Sequence, residues 1–440
     1  MFRSPSAKGF LLRLAALLCA CVMTGCSVSL NVDTMLEPPR LSGSQEQIYQ
    51  ALRDAVGSEI RLKYPKRGSY LSAFIIADLD EDEDDEAIVF YEKGSAADAG
   101  LRINVLDCLD GKWLSICDRS AEGTEIEKVV ITPLGEHDRI NIIVGYSTAN
   151  QSEKYLCAYS YEDSYLEQSF SHSYTYFDVA DTGSGDPDLI LLGAGSGTSV
   201  QAYAAVYRLA EDGRYHEYKY HFSDYYTDYV QLLYGRTASG SIAMYIDAAT
   251  GTSGLQTEIL ALEDSQLCNL LTRCGRKPED TVRRAGLLCT DIDTDGVPEI
   301  PVQTVFLGYE SAAESDRMTQ TRWLMMQGET IFTEHYSYYN AGEGYAFMLP
   351  ESWKSHVTVL SDAVSGELRF CAYDGEWRED MPVLLRMYIA YDEEDMNEHL
   401  DEGFCLMHTR GTARYLVRPE SGQALSVTMG RVLMCFKFLD

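Results

Sequence analysis

Apolar residues along this chain recur mainly in short runs or at alternating positions, and both patterns are typical of β-strands. Residues 71–77 and 87–91 form two apolar runs, which an acidic loop separates. Residues 101–117 then alternate on either side of Asp110-Gly111, a pair that favours a tight hairpin turn. These positions predict four consecutive strands joined by short loops.

The same arrangement recurs along the chain at a nearly constant interval. Four steps lead from the loop at Asp78 to the loop at Asp291, which gives a period of about 53 residues. Four-stranded units at such a period are typical of β-propellers. We therefore predict a mainly β fold, with a propeller-like array of about five four-stranded blades over residues 68–341. A pair of β-sandwiches with accidental spacing is the alternative.

The segments on either side of the array follow other patterns. Residues 44–67 form a helical lead-in, where a capping box at Ser44 and Gln47 precedes an amphipathic helix. Residues 342–440 combine predicted strands with a helix over 393–401. We assign them to a separate C-terminal α+β accessory domain, in which no catalytic motif stands out.

The first 25 residues have the pattern of an export signal. Basic residues precede an apolar run over 10–22, which is shorter than the roughly 20 apolar residues of a membrane-spanning helix. The run ends in Met23-Thr24-Gly25-Cys26, which resembles a bacterial lipobox with Met23 in place of the usual leucine. A conventional signal peptide that happens to contain a cysteine is the alternative.

The resemblance to lipoproteins implies that residues 1–25 form a signal peptide that is removed and that Cys26 is then acylated. The acyl chains would hold the protein at the extracytoplasmic face of the cell membrane. Residues 26–43, with Pro38 and Pro39, are predicted to form a tether. The net charge of −32 opposes close contact with anionic lipid and excludes a nucleic-acid partner.

Two loops of the array concentrate acidic residues. Residues 78–86 and 291–299 each place carboxylates at positions 1, 3, 5 and 9, and position 7 offers its carbonyl oxygen. Oxygen donors spaced two apart in a tight loop can converge on Ca²⁺, which takes about six to eight of them. Gly296 permits the turn in the second loop, whereas Glu83 occupies that position in the first. The predicted ligands are Asp78, Asp80, Asp82, Asp84, Glu86, Asp291, Asp293, Asp295, Val297 and Glu299. A solvated acidic turn is the alternative.

The loop pattern Asp-x-Asp-x-Asp-Gly-x-x-Asp/Glu before an apolar strand resembles the FG-GAP/VCBS repeats. Those repeats build the propeller of integrin alpha chains and of many bacterial surface proteins. The resemblance spans residues 68–340 but is clear at only two of five units. The third loop, 181–188, is one residue shorter and has lost its early carboxylates, and the second and fourth loops have none of the pattern. The resemblance implies structural calcium, with ligand binding by other loops. The lipobox with such repeats is similar to lipoproteins of anaerobic Gram-positive bacteria.

These features together predict a membrane-anchored, calcium-binding module that acts as a binding or scaffold protein at the cell surface. Its partner would be a cell-wall component, a glycan or another protein. An extracytoplasmic hydrolase acting on polysaccharide or peptide is the alternative, although we predict no catalytic residues. The tetrapeptide Asp181-Thr182-Gly183-Ser184 matches the aspartic-protease motif, but no second copy occurs with which it could share a proton.

Overall fold

The computed structural model describes most of the chain beyond the predicted signal peptide and tether. The described ranges are 41–94, 100–135, 137–149, 154–162, 164–195, 200–223, 225–236, 241–251, 253–362, 365–378 and 380–439. The signal peptide, Cys26 and most of the tether lie outside them. Among the described helices, none combines the length and the apolar character needed to cross a membrane.

The described chain is mainly β, as the sequence predicts, and its strands form six sheets. The first sheet contains Ile60–Lys63, Phe74–Ala77, Glu86–Lys93, Leu101–Leu109 and Lys112–Ser120. The second contains Pro65–Arg67, Glu125–Leu134, His137–Ser147, Lys154–Glu162 and Tyr165–Tyr174. The third contains Tyr176–Asp181, Pro187–Gly193, Tyr203–Leu209 and Tyr215–His221.

The remaining three sheets follow in chain order. The fourth contains Asp228–Arg236, Ile242–Thr250, Gly254–Glu263, Gln266–Asn269 and Arg283–Arg284. The fifth contains Ile300–Val305, Thr319–Gln327, Thr330–Asn340, Tyr345–Met348 and Phe436–Phe438, so it takes strands from both sides of residue 342. The sixth contains Val357–Ser361, Leu368–Ala372, Val383–Ala390, Cys405–Arg410 and Ala413–Pro419.

Helices are few and short in the described chain. The α-helices are Gly43–Val56, Leu270–Arg273, Glu393–Asp401 and Met429–Cys435. Single 3₁₀ turns occur at Pro278–Thr281, Glu314–Asp316 and Glu351–Trp353. The helix predicted over 393–401 is confirmed with those bounds. Beyond Asn269, the chain leaves strand Gln266–Asn269 and forms the helical turn Leu270–Arg273.

Each of the first five sheets contains four consecutive strands that pair with their chain neighbours. Tight turns produce this order. Asp110 and Gly111 both have left-handed φ values, 52° and 75°, which match the twist of the flanking antiparallel strands. Gly213 and Gly328 serve the turns of two other hairpins, also at positive φ. The four-stranded units therefore arise largely from local turn chemistry.

Neighbouring sheets share apolar cores, because each sheet buries both of its faces. In the first sheet, Ile88 and Phe90 face the second sheet and join a cluster with its Val144 and Tyr159. Similar clusters join the second sheet to the third, the third to the fourth, the fourth to the fifth and the fifth to the sixth. No core cluster of the described residues joins the first sheet to the sixth.

Helices cover the outer faces of the two end sheets. Val89 and Tyr91, which alternate with the inward-facing residues of the first sheet, pack against Leu52 of helix Gly43–Val56. On the sixth sheet, Leu416 packs in a cluster with Leu400 of helix Glu393–Asp401. Burial of each such side chain stabilises the fold by roughly 1.5–3 kcal/mol.

The first helix begins two residues earlier than its predicted capping box. Ser42 is the N-cap: the backbone N–H of Gln45 donates to Ser42 Oγ at 3.4 Å, and the Ser42 N–H donates to Gln45 Oε1 at 3.0 Å. The box predicted at Ser44 and Gln47 is therefore wrong. Both pairs have the required spacing, so the sequence alone does not distinguish them.

Candidate metal centre

The loop 291–299 is closed at its base by a short antiparallel bridge. The N–H of Glu299 donates to the Thr290 carbonyl at 2.9 Å, and the N–H of Thr290 donates in return at 3.2 Å. Gly296 takes a φ of 91°, a conformation that costs little only for glycine. The loop thus follows a tight path between two fixed ends, as the sequence pattern indicates.

Backbone hydrogen bonds fix the first carboxylates of this loop. Asp291 accepts from the N–H groups of Asp295 at 3.0 Å and Gly296 at 2.9 Å. Asp295 in turn accepts from the Val297 N–H at 2.8 Å. The side chain of Val297 packs at the core between the fourth and fifth sheets, and a ligand role for its carbonyl oxygen stays a prediction.

Glu299 is the buried end of this group of carboxylates. Its side chain is fully buried, and its Oε2 accepts from the Ile292 N–H at 2.8 Å, while its Oε1 has no hydrogen-bond partner. Burial raises the pKa of Glu299 to about 8. One oxygen from each of four predicted ligands lies within 4.8 Å of the others; these residues are Asp291, Asp293, Asp295 and Glu299.

The loop 78–86 repeats this arrangement in the first sheet. Asp78 accepts from the N–H groups of Glu81 at 2.7 Å and Glu83 at 3.3 Å. Glu86 is only 1% exposed, its Oε2 accepts from the Leu79 N–H at 2.7 Å, and burial raises its pKa to about 7. The two loops therefore bury the same carboxylate at position 9 and hold it with the same backbone group, the N–H of position 2.

Three of the five predicted ligands in the first loop lie close together. One oxygen each from Asp78, Asp80 and Glu86 falls within 4.8 Å of the others. Asp82 instead accepts from the N–H of Asp84 at 2.9 Å, and neither residue belongs to that group. Glu83 has a φ of 76°, so a non-glycine residue occupies the left-handed region that Gly296 takes in the other loop.

In the third loop, 181–188, the buried acid is paired with an arginine side chain of the same chain. Asp181 accepts from the N–H groups of Gly183 at 2.7 Å and Gly185 at 3.0 Å, like the first aspartate of the other loops. The last acid, Asp188, is fully buried. Arg208 binds it through two hydrogen bonds, Nε to Oδ1 at 3.0 Å and Nη2 to Oδ2 at 2.8 Å.

In the described chain, Glu86 and Glu299 lack the kind of basic partner that Arg208 provides for Asp188. Among the described residues, no basic side chain forms an ion pair with either glutamate. Lys437 reaches the second loop, but its Nζ donates to the backbone carbonyl of Ile292 at 2.5 Å. The last acid of each loop is therefore buried in all three cases, but only Asp188 is paired with a basic side chain of the described residues.

Two further residues approach the second loop, and the sequence pattern did not indicate them. His335 Nε2 lies 3.0 Å from Asp293 Oδ2, and Glu334 adds a carboxylate within 4.8 Å of both. They lie on strand Thr330–Asn340, about 40 residues from the loop. Strand register places them there, because Trp323 pairs with both Pro301 and His335 across the sheet. Only the correct pairing of the fifth sheet could have revealed them.

No cysteine in the described chain forms a disulfide, and none lies in these loops. The nine described cysteines are free, and four of them are buried: Cys157, Cys289, Cys371 and Cys435. The Asp-Thr-Gly-Ser motif forms the third loop, where Thr182 Oγ1 donates to Asp188 at 2.5 Å. This bond gives the threonine a structural role in the loop.

Comparison with known proteins gives distant structural likenesses only. No family model and no curated protein matches the chain. A rhamnogalacturonan lyase PL11 of Bacillus licheniformis is 10% identical and has a TM-score of 0.30, with 72% of this chain and 74% of that chain covered. Sqt1 of Saccharomyces cerevisiae is 11% identical and has a TM-score of 0.30, with 76% and 81% covered. The polysaccharide lyase Uly1 is 10% identical and has a TM-score of 0.27, with 73% and 91% covered. Scores at this level carry no functional argument.

Proposed function

We propose that this protein is a lipid-anchored, extracytoplasmic calcium-binding module that acts as a binding or scaffold protein. The loops 78–86 and 291–299 would each hold a structural Ca²⁺. One observation carries the proposal: Glu86 and Glu299 are buried carboxylates with no basic partner among the described residues, at the position where the third loop pairs Asp188 with Arg208. A divalent cation would compensate the buried negative charge in these two loops, as the guanidinium of Arg208 does in the third.

The energetics favour an external cation over an empty loop. An uncompensated charge inside a protein costs several kcal/mol, so a buried carboxylate must keep its proton or find a positive partner. Every candidate ligand in the two loops is an oxygen, which suits Ca²⁺. With a site near ~10⁻⁴ M and about 1 mM Ca²⁺ outside the cell, binding would stabilise each loop by about 1.4 kcal/mol.

The proposed scaffold is a propeller-like array of four-stranded blades, with the calcium loops at corresponding blade edges. The support is that four consecutive strands form each unit and that adjacent units share cores. The two loops also join equivalent elements, since each ends at a buried glutamate that begins or directly precedes the next strand. Binding of a cell-wall component, a glycan or another protein would then use other loops of the array.

The calcium proposal is tested by thermal unfolding of the purified chain in 1 mM Ca²⁺ and in EGTA. We expect Ca²⁺ to raise the melting temperature of the wild type, and Asp291→Asn to reduce the shift without affecting the first loop. Asp212→Asn, at an exposed hairpin turn, is the control and should keep the full shift. An equal melting temperature in both solutions for the wild type would refute structural calcium.

Membrane attachment and ligand class need separate measurements. Detergent partitioning should move the wild type into the detergent phase and leave Cys26→Ala in the aqueous phase; equal partitioning would refute lipidation. A screen of purified cell wall, glycans and surface proteins would identify the partner. Release of soluble fragments from a bound polysaccharide or peptide in that screen would favour the hydrolase alternative instead.

A further inference from the structure

We propose a second metal site beside the 291–299 loop, formed by Asp293, Glu334 and His335. It would bind a divalent transition ion such as Zn²⁺ or Mn²⁺, with Asp293 shared between this ion and the loop Ca²⁺. The inference rests on the proposed calcium function only through that shared residue. The site is thus part of a two-ion centre that joins a loop to the strand Thr330–Asn340.

The geometry suits a small cation. His335 Nε2 and Asp293 Oδ2 are 3.0 Å apart, and one oxygen of Glu334 lies within 4.8 Å of both ligand atoms. Ligands bound at about 2.1 Å around a tetrahedral ion lie roughly 3.4 Å from one another. The His–Asp pair already has nearly this separation, so a modest movement of the Glu334 side chain completes three protein ligands. The remaining positions would be open to water.

Unsatisfied carboxylate oxygens converge on this centre. Seven buried side-chain nitrogen or oxygen atoms of the described residues lack a hydrogen-bond partner, and three of them belong to Asp293, Glu299 and Glu334. Glu299 is fully buried, and its group of converging oxygens includes Asp293. Buried acceptors without partners are rare in folded proteins, so one on Asp293 and one in each of the two groups that share it indicate a positive ligand.

The charge of the centre exceeds what one calcium ion can balance. The two groups that share Asp293 contain five carboxylates, namely Asp291, Asp293, Asp295, Glu299 and Glu334. A single Ca²⁺ compensates two of these charges. Lys354, the neighbouring base, donates to the backbone carbonyl of Glu334 at 3.1 Å and pairs with Glu351 at 2.6 Å. A second dication beside His335 would reduce the excess that remains.

The histidine determines which ion fits. Calcium takes oxygen ligands, whereas imidazole is a preferred ligand of Zn²⁺ and other transition ions. The loop 78–86 provides an internal comparison, because its group of converging side chains contains Asp78, Asp80 and Glu86 but no histidine. The inference therefore assigns transition-metal binding to the second loop alone. A plain hydrogen bond between His335 and Asp293 is the competing explanation.

The test uses Co²⁺ as a spectroscopic probe of imidazole ligation in the full chain, with Ca²⁺ present at 1 mM. We expect one equivalent of Co²⁺ to bind and to produce visible absorption bands. His335→Gln should abolish the bands, and Glu334→Gln should weaken Co²⁺ binding by more than about tenfold, the loss that even an outer-sphere partner of a metal ligand can cause. His356→Gln, at an exposed position in the same half of the chain, is the matched control.

The outcomes separate this site from the proposed calcium function. Unchanged Co²⁺ bands in His335→Gln, or no Co²⁺ binding by the wild type, would overturn the second site even if Ca²⁺ raises the melting temperature. Co²⁺ bands that depend on His335, without any stabilisation by Ca²⁺, would refute the calcium function and support this site. Asp291→Asn should reduce calcium stabilisation and keep Co²⁺, whereas Asp293→Asn should weaken both. Circular dichroism checks that each variant is folded.

Discussion

Replacement of Glu299 by Gln should have opposite effects on stability without and with calcium. Gln retains an oxygen that can accept from the Ile292 N–H, which donates to Glu299 Oε2 at 2.8 Å, but it carries no charge. In the wild type, burial raises the pKa of Glu299 from 4.5 to about 8. Without Ca²⁺, the variant avoids the cost of burying this acid, and with Ca²⁺ it lacks a ligand.

The magnitude follows from proton linkage. Because the pKa of Glu299 is higher in the folded state, its contribution to the stability of the calcium-free protein is fully present below pH 4.5 and is lost as the pH rises towards about 8. In the unfolded chain this glutamate has a pKa of 4.5, and pH 7 lies 2.5 units above it. Ionisation therefore favours the unfolded state at pH 7 by about 3 kcal/mol, because the folded glutamate keeps its proton. Glu299→Gln should therefore stabilise the calcium-free protein by up to about 3 kcal/mol at pH 7 and by much less at pH 5.

The assay is urea denaturation at pH 5 and pH 7, each in EGTA and in 1 mM Ca²⁺. We expect Glu299→Gln to raise the free energy of unfolding in EGTA at pH 7 and to reduce the gain on adding Ca²⁺. Asp212→Asn at an exposed turn controls for the loss of one negative charge from an acidic protein. If Glu299→Gln destabilised the protein equally in EGTA and in Ca²⁺, the reasoning from burial and charge would be refuted.

Three further variants test other features by urea denaturation. Arg208→Met leaves Asp188 buried without its partner and should cost about 3–5 kcal/mol, equally in Ca²⁺ and in EGTA. Arg283→Met should cost a similar about 3–5 kcal/mol, because Arg283 and Asp247 form an ion pair in which both side chains are fully buried. Gly296→Ala should cost about 1–2 kcal/mol through its φ of 91° alone, since no atom lies within 4 Å of the added methyl group.

Controls exist within the same molecule. Arg214, whose side chain is 83% exposed, should tolerate change to Met with little effect on stability. Adding Asp188→Asn to Arg208→Met should recover part of the lost stability, since it removes the buried charge. Losses of equal size in the Arg208 and Arg214 variants, or a loss at Arg208 that depends on Ca²⁺, would contradict the role assigned to that guanidinium.

The sequence predicted those features that depend on residues close together in the chain. The hairpin at Asp110-Gly111 and the helix over 393–401 rest on local turn and periodicity signals, and the structure contains both. The approach of Asp291, Asp293 and Asp295 to Glu299 is likewise set within nine residues. In such cases the backbone has few alternative paths, so the spacing of residue types largely determines where the side chains lie.

Features that depend on the pairing of distant strands could not be predicted in this way. Arg208 reaches Asp188 across 20 residues, and His335 reaches Asp293 across 42. A bulge beside Trp323 also shifts the register of the strand that carries His335. The isolated bridge at Thr290 is a further case, because the apolar residues 287–289 before it form no strand in the described chain. Their neighbours are set by tertiary packing, which overrides local preference.

The helices on the outer faces of the first and sixth sheets limit how these molecules can assemble. A row of sheets that are apolar on both faces could otherwise grow head to tail, since the last face of one molecule would complement the first face of the next. Helix Gly43–Val56 and helix Glu393–Asp401 occupy those two faces. Loss of either helix should therefore convert a discrete particle into one that forms fibres or precipitates, because it would expose a ready-made surface for an additional subunit.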